Sequence, residues 1–197
     1  MYIQMVQGKC DRQEELRTVV DEWSAAMADR EGWLGGTYGF TDDGTFVGVV
    51  RFESAEACEG LWQDEASKAA WAAAERLCRD IEMHESGEVT MLLEGGSDHA
   101  GFVQVMRGHI GDAEHVRHLA SDEMTAMLHQ ARPEVIGGTL AVEPDGTFTE
   151  TIAFTDEASA RRGEQAAMPG EVRSELEAAF ADVEYLDLHH PWFASHR

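Results

Sequence analysis

Hydrophobic and polar positions follow the same pattern twice along this chain. Each half begins with a short run rich in β-branched and aromatic residues, YIQMVQG at 2–8 and FVQVMRGH at 102–109, which predicts a strand. A segment with apolar residues at three- and four-residue steps follows, and this spacing predicts an amphipathic helix over residues 11–28. The same apolar steps recur in the second half at Val116, Leu119, Ala120, Met124 and Met127.

The clearest part of the repeat is a hairpin signal. GGTYGFTDDGTF at 35–46 returns 102 positions later as GGTLAVEPDGTF at 137–148. In both copies Asp-Gly separates two alternating runs, and glycine supplies the positive φ that a tight turn needs. Ser54 and Asp156 then stand where each can cap a second helix, which residues 64–67 and Pro169 are expected to interrupt. DIEMHE and DVEYLD close the two copies as predicted fourth strands.

The predicted order is therefore β-α-β-β-α-β, written twice. This order indicates an α+β fold of two tandem ferredoxin-like modules, at residues 1–93 and 101–197, joined by a linker at 94–100. A four-stranded sheet with helices on one face leaves its other face bare. We expect the two bare faces to pack together, so that the second copy covers the first.

Charge, hydropathy and cysteine content indicate the kind of partner, the location and the redox state of the thiols. The net charge is −23 with only two lysines, Lys9 and Lys68, which argues against nucleic acid or anionic lipid as a partner. No apolar run approaches a membrane span and the N-terminus does not resemble a signal peptide, so a cytoplasmic protein is expected. The three cysteines lack C-x-x-C spacing and favour reduced thiols.

The repeated plan resembles the antibiotic biosynthesis monooxygenase group of the dimeric α+β barrel superfamily. The features that carry the resemblance are the glycine-rich second strand, the hairpin, and VVRFESAEA leading into the second helix. The chain is similar to a tandem, single-chain form of that homodimer, which implies an intramolecular barrel with a cleft for a planar or aromatic molecule. The resemblance implies cofactor-independent oxygenase chemistry among other activities, and no cofactor is expected.

Polar residues typical of the quinone-forming members are missing at the matching positions. Their Asn, Trp and Tyr correspond in the first copy to Gly48, Phe52 and Cys58, and in the second to Glu150, Phe154 and Ala160. Haem-degrading members carry an axial His near the position of Trp71, so haem bound through that ligand is not expected.

Tryptophans are the leading candidates for ligand contact. Trp23, Trp33, Trp62 and Trp71 all lie in the first copy, and their counterparts in the second copy are not aromatic. Core packing is the alternative role for each of them. We expect Trp62 and Trp71 to be the better candidates, because the second helix walls the cleft in this superfamily.

Several polar residues are further candidates, each with a structural alternative. Gln4 and Gln104 form an equivalent pair on the two first strands, as ligand contacts or as structural amides. His84 and His109 are candidate general bases, and Arg107 could bind an anionic group beside His109; surface or edge-strand roles are the alternatives.

Two further histidine groups have weaker functional interpretations. His115, His118, His129 and Asp122 share one helical stripe, which indicates a solvated face more than a metal site, and no metal is expected. LHHPWF near the C-terminus indicates a tail that docks through its aromatic residues, with a metal pair as the alternative.

Three functions remain open from the sequence. The chain is expected to be a cofactor-independent oxygenase acting on a small, polyketide-like aromatic molecule, a non-catalytic binder of such a molecule, or a structural protein. Because a covered sheet removes the main reason to associate further, a monomer or weak homodimer is expected.

Overall fold

The computed structural model describes residues 1–93, 95, 98–109, 130, 132–165 and 183–196. The helix predicted over residues 116–127 and the break predicted at Pro169 lie outside these residues. The chain divides into two compact units. The first comprises Met1–Glu88 and His190–Arg197, and the second comprises Val89–His189.

The first unit is an antiparallel sheet with helices packed on it. Its strands are β1 (Tyr2–Cys10), β2 (Trp33–Phe40), β3 (Thr45–Phe52), β4 (Cys78–Ser86) and β10 (Trp192–Ser195), in the sheet order β10-β2-β3-β1-β4. Its helices are α1 (Gln13–Met27), α2 (Ala55–Trp62) and α3 (Glu65–Leu77). The helices and the sheet enclose a core in which Leu16, Met27, Trp33 and Tyr38 are each at most 2% exposed.

The second unit repeats this sheet. Its strands are β5 (Glu88–Leu92), β6 (Phe102–His109), β7 (Val135–Val142), β8 (Thr147–Phe154) and β9 (Glu184–Leu188), in the sheet order β5-β7-β8-β6-β9. A helix, α4 (Glu157–Glu164), follows β8. The prediction of an α+β fold with two tandem ferredoxin-like modules is confirmed.

Two short strands extend the predicted sheets. The sequence pattern did not indicate β5 or β10, which have five and four residues. β5 joins the edge of the second unit's sheet beside β7, and β10 joins the edge of the first unit's sheet beside β2. Trp192 of β10 lies with its ring centroid 5.7 Å from that of Tyr38 and 5.6 Å from that of Phe40. The C-terminal segment therefore docks through its aromatic residue, as predicted.

Turn chemistry explains the two hairpins. Gly44 and Gly146 have φ values of 81° and 89°, in the region that favours glycine. The Asp43 carboxylate accepts a hydrogen bond from the Thr45 amide at 3.1 Å, and Asp145 accepts one from the Thr147 amide at 2.9 Å. Both hairpins are where the Asp-Gly motif predicted them.

The helices after the hairpins begin at the predicted caps. Ser54 accepts a hydrogen bond from the Ala57 amide at 3.2 Å, and Asp156 accepts one from the Ser159 amide at 2.8 Å. Asp64 caps α3, which confirms the interruption predicted near residue 64. Within the described ranges, no helix is both long and apolar enough to cross a membrane.

Candidate functional site

A cavity lies between the sheet and the helices of the first unit. It encloses about 100 Å³ and is partly open to solvent. The sheet contributes its floor through Gln4, Val6, Tyr38, Phe46, Gly48, Val50 and Phe52. The helices contribute its walls through Leu16, Val19, Val20 and Trp23 of α1 and through Cys58, Leu61, Trp62, Ser67, Ala70, Trp71 and Ala74.

Gly48 has no side chain and so leaves space above the sheet at the cavity floor. It lies on β3 between Val6 of β1 and Tyr38 of β2. A Cβ atom at this position would come within 3.1 Å of Phe46 Cζ and 3.2 Å of Tyr38 Cδ1. A larger residue would therefore press on both rings and fill the space above them.

Tryptophan rings form one wall of the cavity. The rings of Trp62 and Trp71 meet edge to face, with centroids 5.3 Å apart and an interplanar angle of 83°. Trp71 donates its indole N–H to Glu75 Oε1 at 2.9 Å, and Trp23 donates its own to Ser67 Oγ at 3.0 Å. These bonds anchor the polar edge of each ring, which leaves apolar ring surface for the cavity.

A few polar groups interrupt the apolar lining. Gln4 is 3% exposed and donates from Nε2 to the carboxylate of Glu85, the residue opposite it on β4. The Tyr38 hydroxyl accepts a hydrogen bond from Ser24 Oγ at 3.2 Å. The Cys58 thiol lies 3.7 Å from Gln4 Nε2.

The two weakly acidic side chains of the lining, Tyr38 and Cys58, are neutral, and burial moves their pKa values further from pH 7. Desolvation raises the pKa of Tyr38 to about 12 and the pKa of the Cys58 thiol to about 12. Both side chains are therefore protonated at pH 7, and the described residues that line the cavity include no Asp, Glu, Lys, Arg or His. Because burial of an unpaired charge is costly, this cavity favours an uncharged occupant.

Three of the residues predicted from the sequence come together at this cavity, and two others of the first unit do not. Gln4, Trp62 and Trp71 line it. Trp33 lies in the core at 1% exposure, edge to face with Trp23, and does not line the cavity. His84 pairs with Met5, whose side chain alternates with those of the cavity-lining Gln4 and Val6, so it lies on the other face of the sheet.

The remaining predicted residues lie on β6 of the second unit. Gln104 Nε2 donates to Asp187 Oδ1 at 2.8 Å. Arg107 is 8% exposed and donates to Thr149 Oγ1 at 2.5 Å, with Glu143 3.6 Å away. His109 ends β6 and is exposed. Arg107 is therefore already engaged by side chains of its own unit.

Other lining residues were not among the predicted contacts. Tyr38 and Ser67 gave no signal, because a strand tyrosine and a helix serine are common in any core or surface. Gly48, Phe52 and Cys58 did carry one, since the resemblance drawn from the sequence matched them to the polar positions of the quinone-forming oxygenases. These three positions all line the cavity, although their side chains are not the typical ones.

Glu150 of the second unit occupies the strand position that Gly48 has in the first. It pairs with Met106 on one side and Leu140 on the other, so all three side chains share one face of the sheet. Burial raises the pKa of Glu150 to about 7. The two units therefore differ in chemistry at equivalent positions.

Metal binding finds no support among the described residues, where no three His, Cys, Asp or Glu side chains come close enough together to hold an ion. The stripe of His115, His118, Asp122 and His129 lies outside the residues that the structure describes.

Solved structures share this architecture over nearly the whole chain. A "putative monooxygenase" from Lactobacillus acidophilus superposes with a TM-score of 0.74 at 12% identity, covering 98% of this chain and 95% of its own. One from Fusobacterium nucleatum has a TM-score of 0.76 at 12% identity, covering 98% and 94%. An "anthrone oxidase-like protein" has a TM-score of 0.69 at 13% identity, covering 98% and 93%.

The chain has the fold of these monooxygenase-like proteins. The resemblance predicted from the sequence is thus confirmed for the fold, and at 12–13% identity it extends no further than the fold. Shorter chains described as "putative antibiotic biosynthesis monooxygenase" match 43–44% of this chain with TM-scores of 0.40. No protein-family model and no curated protein matches the sequence.

Proposed function

We propose that this chain is a monooxygenase-like protein whose first unit binds a small, uncharged aromatic molecule. The observation that carries the proposal is the cavity walled by Trp23, Trp62 and Trp71, with no charged side chain among the described residues of its lining. Aromatic faces and edges attract another ring beyond the gain from apolar burial alone. A concave, mostly apolar site with a few polar groups is the usual form of a small-molecule site.

The size of the cavity limits the occupant. An apolar protein cavity of about 150 Å³ is known to take a benzene molecule. The present cavity of about 100 Å³ is somewhat smaller, but it is partly open, so a fused ring can extend toward solvent. One to three fused rings, with one edge enclosed, are the expected size class.

Among the described residues, the second unit does not repeat the side chains of this site, and we propose binding in the first unit. Trp62 corresponds to Glu164 in the second unit, which is exposed. Gln104 corresponds to Gln4 and donates a hydrogen bond to the carboxylate of Asp187. Arg161 binds the same carboxylate. An ion pair thus stands in the second unit near the position that Cys58 and its neighbours occupy in the first.

Titration with phenol, 1-naphthol and anthrone tests the proposal. We expect saturable quenching of tryptophan fluorescence by at least one compound, and binding about tenfold or more weaker in Trp71→Ala and Trp62→Ala, because each removes part of the tryptophan wall of the cavity. Calorimetric titration checks each dissociation constant without relying on the tryptophans themselves.

Tyr185→Ala is the matched control, because it truncates an aromatic side chain that is 56% exposed in the second unit. Its affinity should equal that of the wild type. Absence of saturable binding by all three compounds, in calorimetry as well as fluorescence, would contradict the proposal and favour a structural protein.

Cofactor-independent oxidation of the bound molecule is a second candidate function, favoured by the fold shared with an "anthrone oxidase-like protein". In such a reaction a ring CH₂ group loses a proton, the carbanion reduces O₂, and the products are a ring carbonyl and water. The part of the lining that the structure describes offers no ionised base at pH 7, since Tyr38 and Cys58 are protonated. The substrate would therefore have to be acidic by itself, and the cavity would contribute orientation and partial exclusion of water.

Oxygen consumption with anthrone distinguishes an oxygenase from a binder. An oxygenase consumes one O₂ per anthrone at a rate that falls in Trp71→Ala. A non-catalytic binder quenches fluorescence without consuming oxygen above the rate of anthrone alone.

A monomer or weak homodimer remains the proposed state, and a light-scattering mass of four or more chains would contradict it.

A further inference from the structure

We propose that the occupant is held by its own hydroxyl group, which donates a hydrogen bond to the amide oxygen of Gln4. Glu85 is the positioning residue that keeps this oxygen directed to the occupant. The inference rests on the proposed function and adds a specificity to it: a hydroxylated ring is selected over the same ring without a donor.

Gln4 is the polar side chain that β1 contributes to the described lining of the cavity. It is 3% exposed and lines the cavity floor. Its Nε2 atom donates to Glu85 Oε1 and lies 3.7 Å from Cys58 Sγ. Both hydrogens of the amide nitrogen therefore have a partner.

The orientation of the Gln4 amide follows from the chemistry of its neighbour. An ionised carboxylate only accepts hydrogen bonds, so the nitrogen of the amide, and not its oxygen, must face Glu85. Glu85 is itself held, because the Tyr2 hydroxyl donates to its Oε2 atom at 2.9 Å. Glu85 lies directly opposite Gln4 across the β1–β4 pair, which limits its freedom to move away.

With the amide nitrogen of Gln4 engaged, the amide oxygen is the other polar atom of this side chain. It accepts no hydrogen bond from the part of the chain that the structure describes. When an occupant displaces water from the cavity, this oxygen would lack a hydrogen-bond donor, which is unfavourable, and an O–H group on the occupant would satisfy it. An ether oxygen at the same place would instead oppose its lone pairs to those of the amide oxygen.

The second unit shows that this orientation belongs to the fold. Gln104 is held by Asp187 in the same register, again through Nε2. Only in the first unit does the oriented amide stand beside the tryptophan wall, so only there does it face a site of the proposed kind.

Affinities for 1-naphthol and 1-methoxynaphthalene test the inference, since the two differ by a donor. Wild type should bind 1-naphthol about tenfold tighter or more. Gln4→Met should bind both compounds with nearly equal affinity. Glu85→Gln should reduce the preference for 1-naphthol, because a glutamine can donate as well as accept. The Gln4 amide group can then rotate so that its nitrogen faces the occupant. Glu85 is exposed, so this variant is expected to fold even if Gln4→Met does not.

Gln7→Met and Glu82→Gln are matched controls. Gln7 also lies on β1 and donates to a glutamate opposite it on β4, at 2.9 Å, but it does not line the cavity. Both controls should keep the preference of the wild type.

The outcomes separate this inference from the proposed function. If both compounds bind with equal affinity and Trp71→Ala weakens both, the aromatic site stands and the role of Gln4 is overturned. A preference retained in Gln4→Met or Glu85→Gln also overturns it. If neither compound binds to the wild type, the proposed function fails, and this inference fails with it.

Discussion

Replacement of Trp33 by alanine should lower the free energy of unfolding by about 3–5 kcal/mol, the usual cost of removing a large aromatic side chain from a core. Trp33 is 1% exposed and packs edge to face against Trp23, with centroids 6.3 Å apart. It starts β2 and pairs with Phe52 on β3, so a cavity there would loosen the sheet and α1 together. Urea unfolding followed by circular dichroism measures the change.

Trp71→Ala is the informative comparison for this variant. Trp71 is only partly buried and lines the cavity, so its truncation should cost less stability than Trp33→Ala while weakening ligand binding. A Trp33→Ala protein within about 1 kcal/mol of the wild type would show that Trp33 is not a core residue. The pair thus separates the structural role of a tryptophan from a ligand-binding role.

Glu150→Gln should stabilise the protein by up to about 3 kcal/mol at pH 8 and change little at pH 4. Burial raises the pKa of Glu150 from its ordinary 4.5 to about 7. Between these values the unfolded chain is ionised while the folded chain still holds the proton. The unfolded state then binds fewer protons, so stability falls as pH rises through this window and stays reduced above it. An uncharged glutamine removes the penalty.

The pH dependence of the difference between variant and wild type is the quantity to measure, because the other acidic groups cancel in it. Urea midpoints from pH 4 to pH 8 are sufficient. Glu184→Gln, at an exposed acid on strand β9 of the same sheet, is the matched control and should show no such rise. A constant difference across the range would mean that the carboxyl of Glu150 is well solvated.

Local chemistry made much of the fold predictable. The two Asp-Gly turns and the caps at Ser54 and Asp156 depend on hydrogen bonds within a few residues, and all are present. The helical spacing before the first hairpin likewise corresponds to α1. Signals of this kind survive in any tertiary context, because the atoms that make them are neighbours in the chain.

Long-range packing was less predictable. The strands β5 and β10 have too few residues for a periodic signal, and their partners are more than forty residues away in sequence. The difference between Trp33 and Trp71 has the same origin. Both are tryptophans of the first repeat, and only the neighbours gathered by the fold bury one in the core and leave the other at a cavity.

By itself, the sequence determined the tandem plan of two ferredoxin-like modules, the two turns, and the segment after the first hairpin whose tryptophans line the cavity, Trp62 on α2 and Trp71 on α3. The tertiary structure decided that His84 lies on the opposite face of the sheet from Gln4, and that Glu85 holds the Gln4 amide by its nitrogen. The reason is that repeats and turns are encoded by residues that are contiguous in the sequence. A site is made by side chains some eighty positions apart, whose register and facing depend on how the strands pair.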